Sequence, residues 1–350
     1  MTEALPRIVS LATAVPGQDV HGAFIDWATA RLSDPVQARL FARMARRAGI
    51  EHRFAALPPA PGSPVEPGGF YAGGMPPTSA RMALYEQLAP ELAMRAITTL
   101  DRLDPKAITH IVVASCTGFT APGIDQILAD RLGLPSTVDR TLIGFMGCYA
   151  AVTALKSAMH IVRSEPLARV LVVTVELSSL HLRAADEPEA LLAMLQFGDG
   201  AAAAIVANDG PGLAIERPFA AALPDSGELI RWRIGDTGFE MHLSGAVPGR
   251  IGKALADPGL RATLTGGAAV DAWAVHAGGR SILDAVEHGL GLDPDALAAS
   301  REVLRAHGNM SSATLMFALA GFIGRPVERG VALAFGPGLA AEGFRFRSVP

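Results

Sequence analysis

Residues 144–175 read GFMGCYAAVTALKSAMHIVRSEPLARVLVVTV, and the succession of patterns in this stretch decides the fold class. Gly144 and Gly147 make a loop that delivers Cys148 to the start of residues 148–162, whose composition and apolar face predict a helix. Residues 170–175 (VLVVTV) follow as a β-branched run without polar alternation, the pattern of a strand covered on both faces. Working outward, residues 111–114 (IVVA) predict a similar strand upstream, and 201–207 another after the Gly198-Asp199-Gly200 turn. Strand, helix, strand in repetition implies a parallel sheet and an α/β architecture.

The second half repeats the manner. Residues 272–275 lead into a Gly-Gly turn and a helix near 281–288. Asn309 and two serines precede an apolar helix over 313–322, and 331–335 gives a last buried strand ending in Gly336-Pro337-Gly338. At 350 residues the chain exceeds the usual single-core size, so two domains or two fused halves are expected. The break falls near 210–220, around Asp209-Gly210-Pro211-Gly212, giving a half 1–215 with Cys148 and a half 216–350 with His276 and Asn309. Between Leu57 and Met75 five prolines and several glycines predict a long loop without internal hydrogen-bonded structure.

Composition narrows the classes. Apolar residues make up 50%, charged 18% and aromatic 6%, so core volume comes from Ala, Val, Leu and Ile, and disorder is excluded. A formal charge of -4 gives no reason to expect nucleic acid as the main partner. Arg43, Arg46, Arg47 and Arg53 crowd one stretch, and helical spacing puts Arg43 and Arg47 on one face, either a solvated face or a basic patch. Two cysteines exclude a multi-disulfide framework and an all-Cys zinc site. The start, MTEALPRIVSLATAVPG, reads as a first strand rather than a leader, and no apolar run is long enough to span a bilayer. A reducing cytoplasm is the expected location.

Three residues carry the chemistry. Cys148 at the head of a helix sits where the positive end of the dipole favours a thiolate, lowering a pKa that starts near ~8.5; a buried structural cysteine is the alternative. His276 leaves an apolar run, Trp273-Ala274-Val275, at a glycine turn, which places an imidazole at a sheet end. Asn309 lies in His307-Gly308-Asn309-Met310-Ser311-Ser312, just before a helix, where it could also be a cap. A papain-like protease also uses Cys, His and Asn in this order, but its local signature around the cysteine is absent here.

The sequence resembles the type III polyketide synthases, the chalcone and stilbene synthase family, of bacterial type. The blocks that carry the resemblance run in order: 116–125 (CTGFTAPGID), 144–151, 197–201 (FGDGA), 247–249 (VPG), 273–280, 308–314 (GNMSSAT) and 335–338 (FGPG). The resemblance implies a thiolase-like fold, two related halves in a layered αβαβα arrangement. It implies that Cys148 accepts an acyl starter from CoA, and that His276 and Asn309 polarise the thioester and hold the enolate formed from malonyl-CoA. Iterative decarboxylative condensation and cyclisation to a pyrone or phenolic ring would follow. CoA thioesters are the substrates, and no cofactor or metal is implied.

Phe197 and Met241 match the two gatekeeper positions, Met241 departing from the phenylalanine of the plant enzymes. Cys116, Thr117, His181, Ser311 and the turn Gly336-Pro337-Gly338 match cavity positions. Arg43 and Arg47 match basic residues that hold CoA phosphates, while Leu40 stands where a third would be. The family's homodimer is implied too, although Ala121 replaces a methionine that in plant enzymes reaches the partner's cavity. Two alternatives remain beside this reading: a ketoacyl-ACP synthase III-like enzyme, and a non-catalytic acyl-CoA-binding relative.

Overall fold

The computed structural model describes residues 5–58 and 63–350. The chain opens on β1 (Arg7–Ala14) and β2 (Gln18–Asp19), then α1 (His21–Arg31), α2 (Pro35–Arg47), β3 (Phe54–Ala55) and the long α3 (Thr78–Ile97). There follow β4 (His110–Ser115), α4 (Ile124–Arg131), β5 (Asp139–Gly144), α5 (Ala150–Ser164), β6 (Val170–Leu177), α6 (Pro188–Leu195) and β7 (Asp199–Ala207). Next come β8 (Gly212–Ala222), β9 (Ile230–Gly235), β10 (Gly238–Leu243), α7 (Val247–Leu255), α8 (Pro258–Thr265) and β11 (Ala272–Val275). The chain closes on α9 (Arg280–Leu290), α10 (Ala298–His307), α11 (Ala313–Ala320), β12 (Gly330–Gly336) and β13 (Ala340–Val349).

Nine strands form one sheet in the order β11-β12-β13-β8-β1-β7-β6-β4-β5. The sheet is mixed, which corrects the parallel sheet expected from the strand–helix–strand rhythm. Only β4 with β5, β4 with β6 and β11 with β12 are parallel. β13 reverses through a short turn beside β12, β7 returns beside β6 by way of α6, and β1 and β8 pair with strands distant in the sequence. Residues 331–335 are not the last strand either. β13 follows, and its broken alternation (AAEGFRFRSV) hid it from a search for continuous apolar runs.

The order contains an internal duplication. β4-β6-β7-β1 and β11-β12-β13-β8 repeat the same neighbours with the same senses: parallel, antiparallel, antiparallel. The two arms meet where β1 and β8 pair over only Arg7↔Ala214 and Ile8↔Leu213.

Side-chain alternation turns the two arms into layers. Val112, Ala114, Val170 and Val172 from one arm, and Ala272, Ala274 and Ala332 from the other, point into one cluster with α5 and α11. The opposite faces of the arms make separate clusters, Ile111, Val113 and Leu171 under α3 and α4, and Trp273, Val331 and Leu333 under α7 and α9. The result is the αβαβα layering of a thiolase-like fold. α11 (ATLMFALA) is apolar all round because it lies in the middle layer, and each of its large side chains contributes about 2 kcal/mol by burial. Alanines on α5 and on the inner strand faces keep that layer thin.

The described part of the Pro/Gly-rich segment is more ordered than its composition predicts. Glu66 N–H donates to Ser63 O at 3.0 Å, Gly69 N–H to Glu66 O at 2.9 Å, and Tyr71 N–H to Pro64 O at 2.8 Å. The Tyr71 hydroxyl donates to Ser179 O at 2.7 Å, so a buried anchor holds these turns. Residues 59–62 of the segment lie outside the described residues.

Candidate active site

Equivalent turns of the duplicated halves deliver the three chemical residues. Cys148 precedes α5 and Asn309 precedes α11, the two helices of the middle layer, and His276 follows β11 directly. Around Cys148 the backbone is unusual: Phe145 has φ +56° and Gly147 φ +80°. Gly147 N–H donates to the Cys116 sulfur at 2.9 Å, and a Cβ on Gly147 would lie 2.5 Å from Pro337 Cδ. Only glycine fits there, so the loop carrying Cys148 rests on the turn after β12.

Asn309 is not a helix cap. Its N–H donates to Gln196 O at 2.7 Å and its carbonyl accepts from Gly198 N–H at 3.0 Å, a bridge that fixes it beside Phe197. Its Oδ1 accepts from Ser311 N–H at 2.9 Å, which orients the amide so that Nδ2 donates to Gly278 O at 3.2 Å, two residues beyond His276. The Ser311 hydroxyl donates to the Cys148 sulfur at 3.9 Å. His276 is 1% exposed, and among the described residues neither ring nitrogen has a hydrogen-bond partner, so neither is committed to another group.

Burial dominates the electrostatics. It pushes the Cys148 thiol up to about 12, with the Glu176 charge adding to it and hydrogen bonds from Ser311 and Asn309 opposing. It pulls the His276 imidazole down to about 3. Each group alone is therefore neutral, contrary to the resting thiolate expected from the helix terminus. Proton transfer from thiol to imidazole leaves the net charge of the two groups unchanged, so burial opposes it less than ionisation of the thiol alone.

One cavity of about 640 Å³ unites most of the expected residues. Cys148, His276, Asn309, Ser311, Cys116, Phe197, Met241, Gly336 and Pro337 line it. Other expected residues stand elsewhere. Thr117 is fully buried; its hydroxyl donates to Glu176 Oε2 at 2.9 Å and accepts from Leu177 N–H at 2.8 Å, so it holds a carboxylate rather than facing the cavity. His181 lines a neighbouring pocket, its Nε2 on Thr117 O at 2.7 Å and its Nδ1 accepting from Phe239 N–H at 3.0 Å. Gly338 shapes the turn with φ +82° but does not line the cavity.

The basic stretch divides. Arg43 and Arg47 are exposed on α2, whose Leu40 and Met44 line the cavity, but the two arginines do not line it themselves. Arg53 does not join them. It is buried, and its guanidinium donates to Phe197 O at 2.6 Å and to His21 Nδ1 at 3.0 Å.

Sequence reasoning missed Glu176. This buried carboxylate accepts from Cys116 N–H at 3.0 Å, from Thr117 and from the Ser312 hydroxyl, and burial pushes it up to about 7. The signal was present: a glutamate at the end of the otherwise apolar run VLVVTV is a buried charge in need of partners. Trp232, also in the cavity wall, left no such signal, because β9 (IRWRIG) reads as an ordinary exposed strand. Among the described residues no group of three or more His, Cys, Asp or Glu is placed to hold a metal ion. No helix among them is long and apolar enough to cross a membrane.

Known proteins match this arrangement along most of the chain. The pattern described as chalcone and stilbene synthases, N-terminal domain, matches residues 66–210, and the corresponding C-terminal domain matches 212–350. The chain is 39% identical over 282 residues to bisdemethoxycurcumin synthase of Oryza sativa subsp. japonica, covering 73% of this chain and 69% of that protein. The crystal structure of PKS-I from the brown alga Ectocarpus siliculosus superposes with a TM-score of 0.89 at 30% identity, covering 100% of both chains. The C-terminal type III polyketide synthase domain of Steely1, a type I/III hybrid from Dictyostelium, gives 0.89 at 26% identity, covering 99% of this chain and 100% of that one. With its fold, its cavity and both sequence halves in agreement, the chain belongs to the chalcone and stilbene synthase family and is a type III polyketide synthase.

Proposed function

We propose that the enzyme condenses malonyl-CoA units onto an acyl-CoA starter held as a thioester on Cys148, and cyclises the product in the same cavity. The observation that carries this reading is the convergence of Cys148, His276 and Asn309 on one largely apolar chamber, with both His276 nitrogens unpartnered. Cys148 passes its proton to His276, and its thiolate attacks the starter carbonyl; CoA leaves as the thiol, taking that proton. The same two donors, protonated or neutral His276 and Asn309 Nδ2, face the oxyanion of this step. When malonyl-CoA loses CO2, they hold the enolate, whose carbon then attacks the Cys148 thioester. The resulting chain returns to CoA, and Cys148 is free for the next loading. Phe197 and Met241 act as the gate between entry and chamber, and Arg43 and Arg47 hold CoA phosphates at the opening.

The halves 1–215 and 216–350 divide the work, nucleophile in one, His276 and Asn309 in the other. The reaction uses CoA thioesters alone and takes place in the cytoplasm. A homodimer forms along β5, an edge strand paired only with β4, where Leu142 and Phe119 are each 46% exposed. Leu142→Glu should then shift the protein from dimer to monomer in sedimentation.

The test of the activity is mass spectrometry of products from malonyl-CoA with short, long and aromatic acyl-CoAs, using wild type and Cys148→Ala. Pyrones or phenolic rings that vanish in the variant support the reading. Condensation only with an acyl carrier protein would transfer it to a ketoacyl synthase, and none under any condition would leave only acyl-CoA binding.

A further inference from the structure

Seven large apolar side chains are exposed among the described residues, and three of them stand on α2: Val36 at 63%, Leu40 at 38% and Met44 at 43%. Their spacing of four residues aligns them in one stripe. The same helix (PVQARLFARMARR) carries Arg39, Arg43, Arg46 and Arg47, all exposed, and no carboxylate of its own. Asp34 lies just before it and serves as its cap, accepting from Val36 N–H at 2.8 Å. No ion pair among the described residues engages the four arginines. A chain of formal charge -4 thus presents four unpaired cations and three bare apolar side chains on a single helix.

With about 3.6 residues per turn, these seven side chains fall within about 160° of the helix circumference. Phe41 and Ala45 occupy the opposite side, where α2 packs on α1 and α6 against Phe24, Leu191 and Leu195. Folding therefore holds the helix by its buried face and leaves the mixed face uncovered. The arginines take one flank of that face and the apolar stripe the other. Leu40 and Met44 also belong to the wall of the catalytic cavity, so the stripe is continuous with that cavity's largely apolar lining.

A convex stripe of three side chains gives a folded partner little to close upon, whereas a fluid lipid interface needs no matching groove. Anionic headgroups meet the arginines through their phosphates, again without a fixed shape. We propose that α2 is a peripheral docking surface for an anionic lipid membrane: its arginines bind the headgroups, and Val36, Leu40 and Met44 enter the headgroup layer. On the docked enzyme an acyl chain passes between bilayer and cavity over Leu40 and Met44 rather than through water. This inference goes beyond the condensing reaction and does not depend on it.

The experiment is co-sedimentation of the full chain with vesicles of phosphatidylcholine, alone or mixed with phosphatidylglycerol, at low and high salt. The variants leave Arg43, Arg47 and the cavity wall untouched, so that CoA binding is not altered with them. Wild type should bind the phosphatidylglycerol vesicles, prefer them to pure phosphatidylcholine, and lose affinity in high salt. The double variant Arg39→Gln, Arg46→Gln should weaken binding about 25-fold, roughly fivefold for each arginine. Val36→Gln should weaken it about tenfold. Leu167→Gln, at a side chain 94% exposed outside α2, should leave it unchanged. All these positions are exposed, so the unfolding midpoints should match wild type. Wild type that stays in solution beside phosphatidylglycerol overturns the inference, as does binding that the α2 variants alter less than about twofold. Sedimentation velocity and a holo acyl carrier protein in place of the vesicles read the other occupants. Self-association, or capture of the carrier protein, that is lost in the α2 variants while vesicles are ignored gives the face to a second copy or to an acidic protein, and overturns the inference.

Discussion

Ser311 holds its hydroxyl 3.9 Å from the Cys148 sulfur, and does so from a left-handed backbone conformation, φ +48°, that a serine rarely adopts. The strain is maintained by the bond from its own N–H to Asn309 Oδ1, so one residue both orients the asparagine and donates to the Cys148 sulfur. Because burial pushes the thiol up, a donor to the sulfur is one of the few groups lowering its pKa. Ser311→Ala should raise the pH midpoint of Cys148 alkylation by iodoacetamide by about one unit, the worth of a hydrogen bond to a charged group. An unmoved midpoint would mean the hydroxyl serves the cavity and not the thiolate.

Gly147 and Pro337 come from opposite halves and touch across the site. Gly147→Ala would place a Cβ 2.5 Å from Pro337 Cδ at a backbone position with φ +80°. We expect a loss of about 1–3 kcal/mol in stability and a fall of tenfold or more in the acylation rate, since the loop carrying Cys148 must shift. Urea unfolding and single-turnover acylation measure the two effects separately.

Glu176 gives a pH signature. Burial raises its folded pKa to about 7, above the ordinary 4.5, so the folded state holds a proton that the unfolded state has released. Its contribution is therefore fully present below about pH 4.5 and is lost as pH rises through 7. Glu176→Gln cannot titrate, so its unfolding midpoint should gain on wild type between pH 5 and pH 8. A difference that stays constant with pH would show that the carboxyl is ionised throughout.

Arg81 is fully buried and serves as a clasp. Its guanidinium donates to the carbonyls of Pro76, Leu180 and Leu182 and lies over the Tyr71 ring at 5.3 Å. Arg81→Met leaves three carbonyls without a donor and should cost about 3 kcal/mol or more. The same change should increase proteolysis in the segment around Tyr71, which limited chymotrypsin digestion would reveal.

Local patterns along the chain reveal the elements with continuous apolar runs and the residues with a marked local setting. The strands at 111–114, 170–175 and 272–275 were legible because burial on both faces leaves no alternation, and Cys148, His276 and Asn309 because glycine loops set them at element ends. Tertiary structure alone decided the rest. Strand direction depends on how connections run in space, so the mixed sheet and the duplicated order were invisible to a local reading. Whether a side chain lines the cavity depends on contacts between distant segments. Thr117 is turned to Glu176 and His181 to a second pocket, while Trp232, on a strand that looked like plain surface, stands between the two. Periodicity records which face of an element is covered, but it carries no information about what covers it.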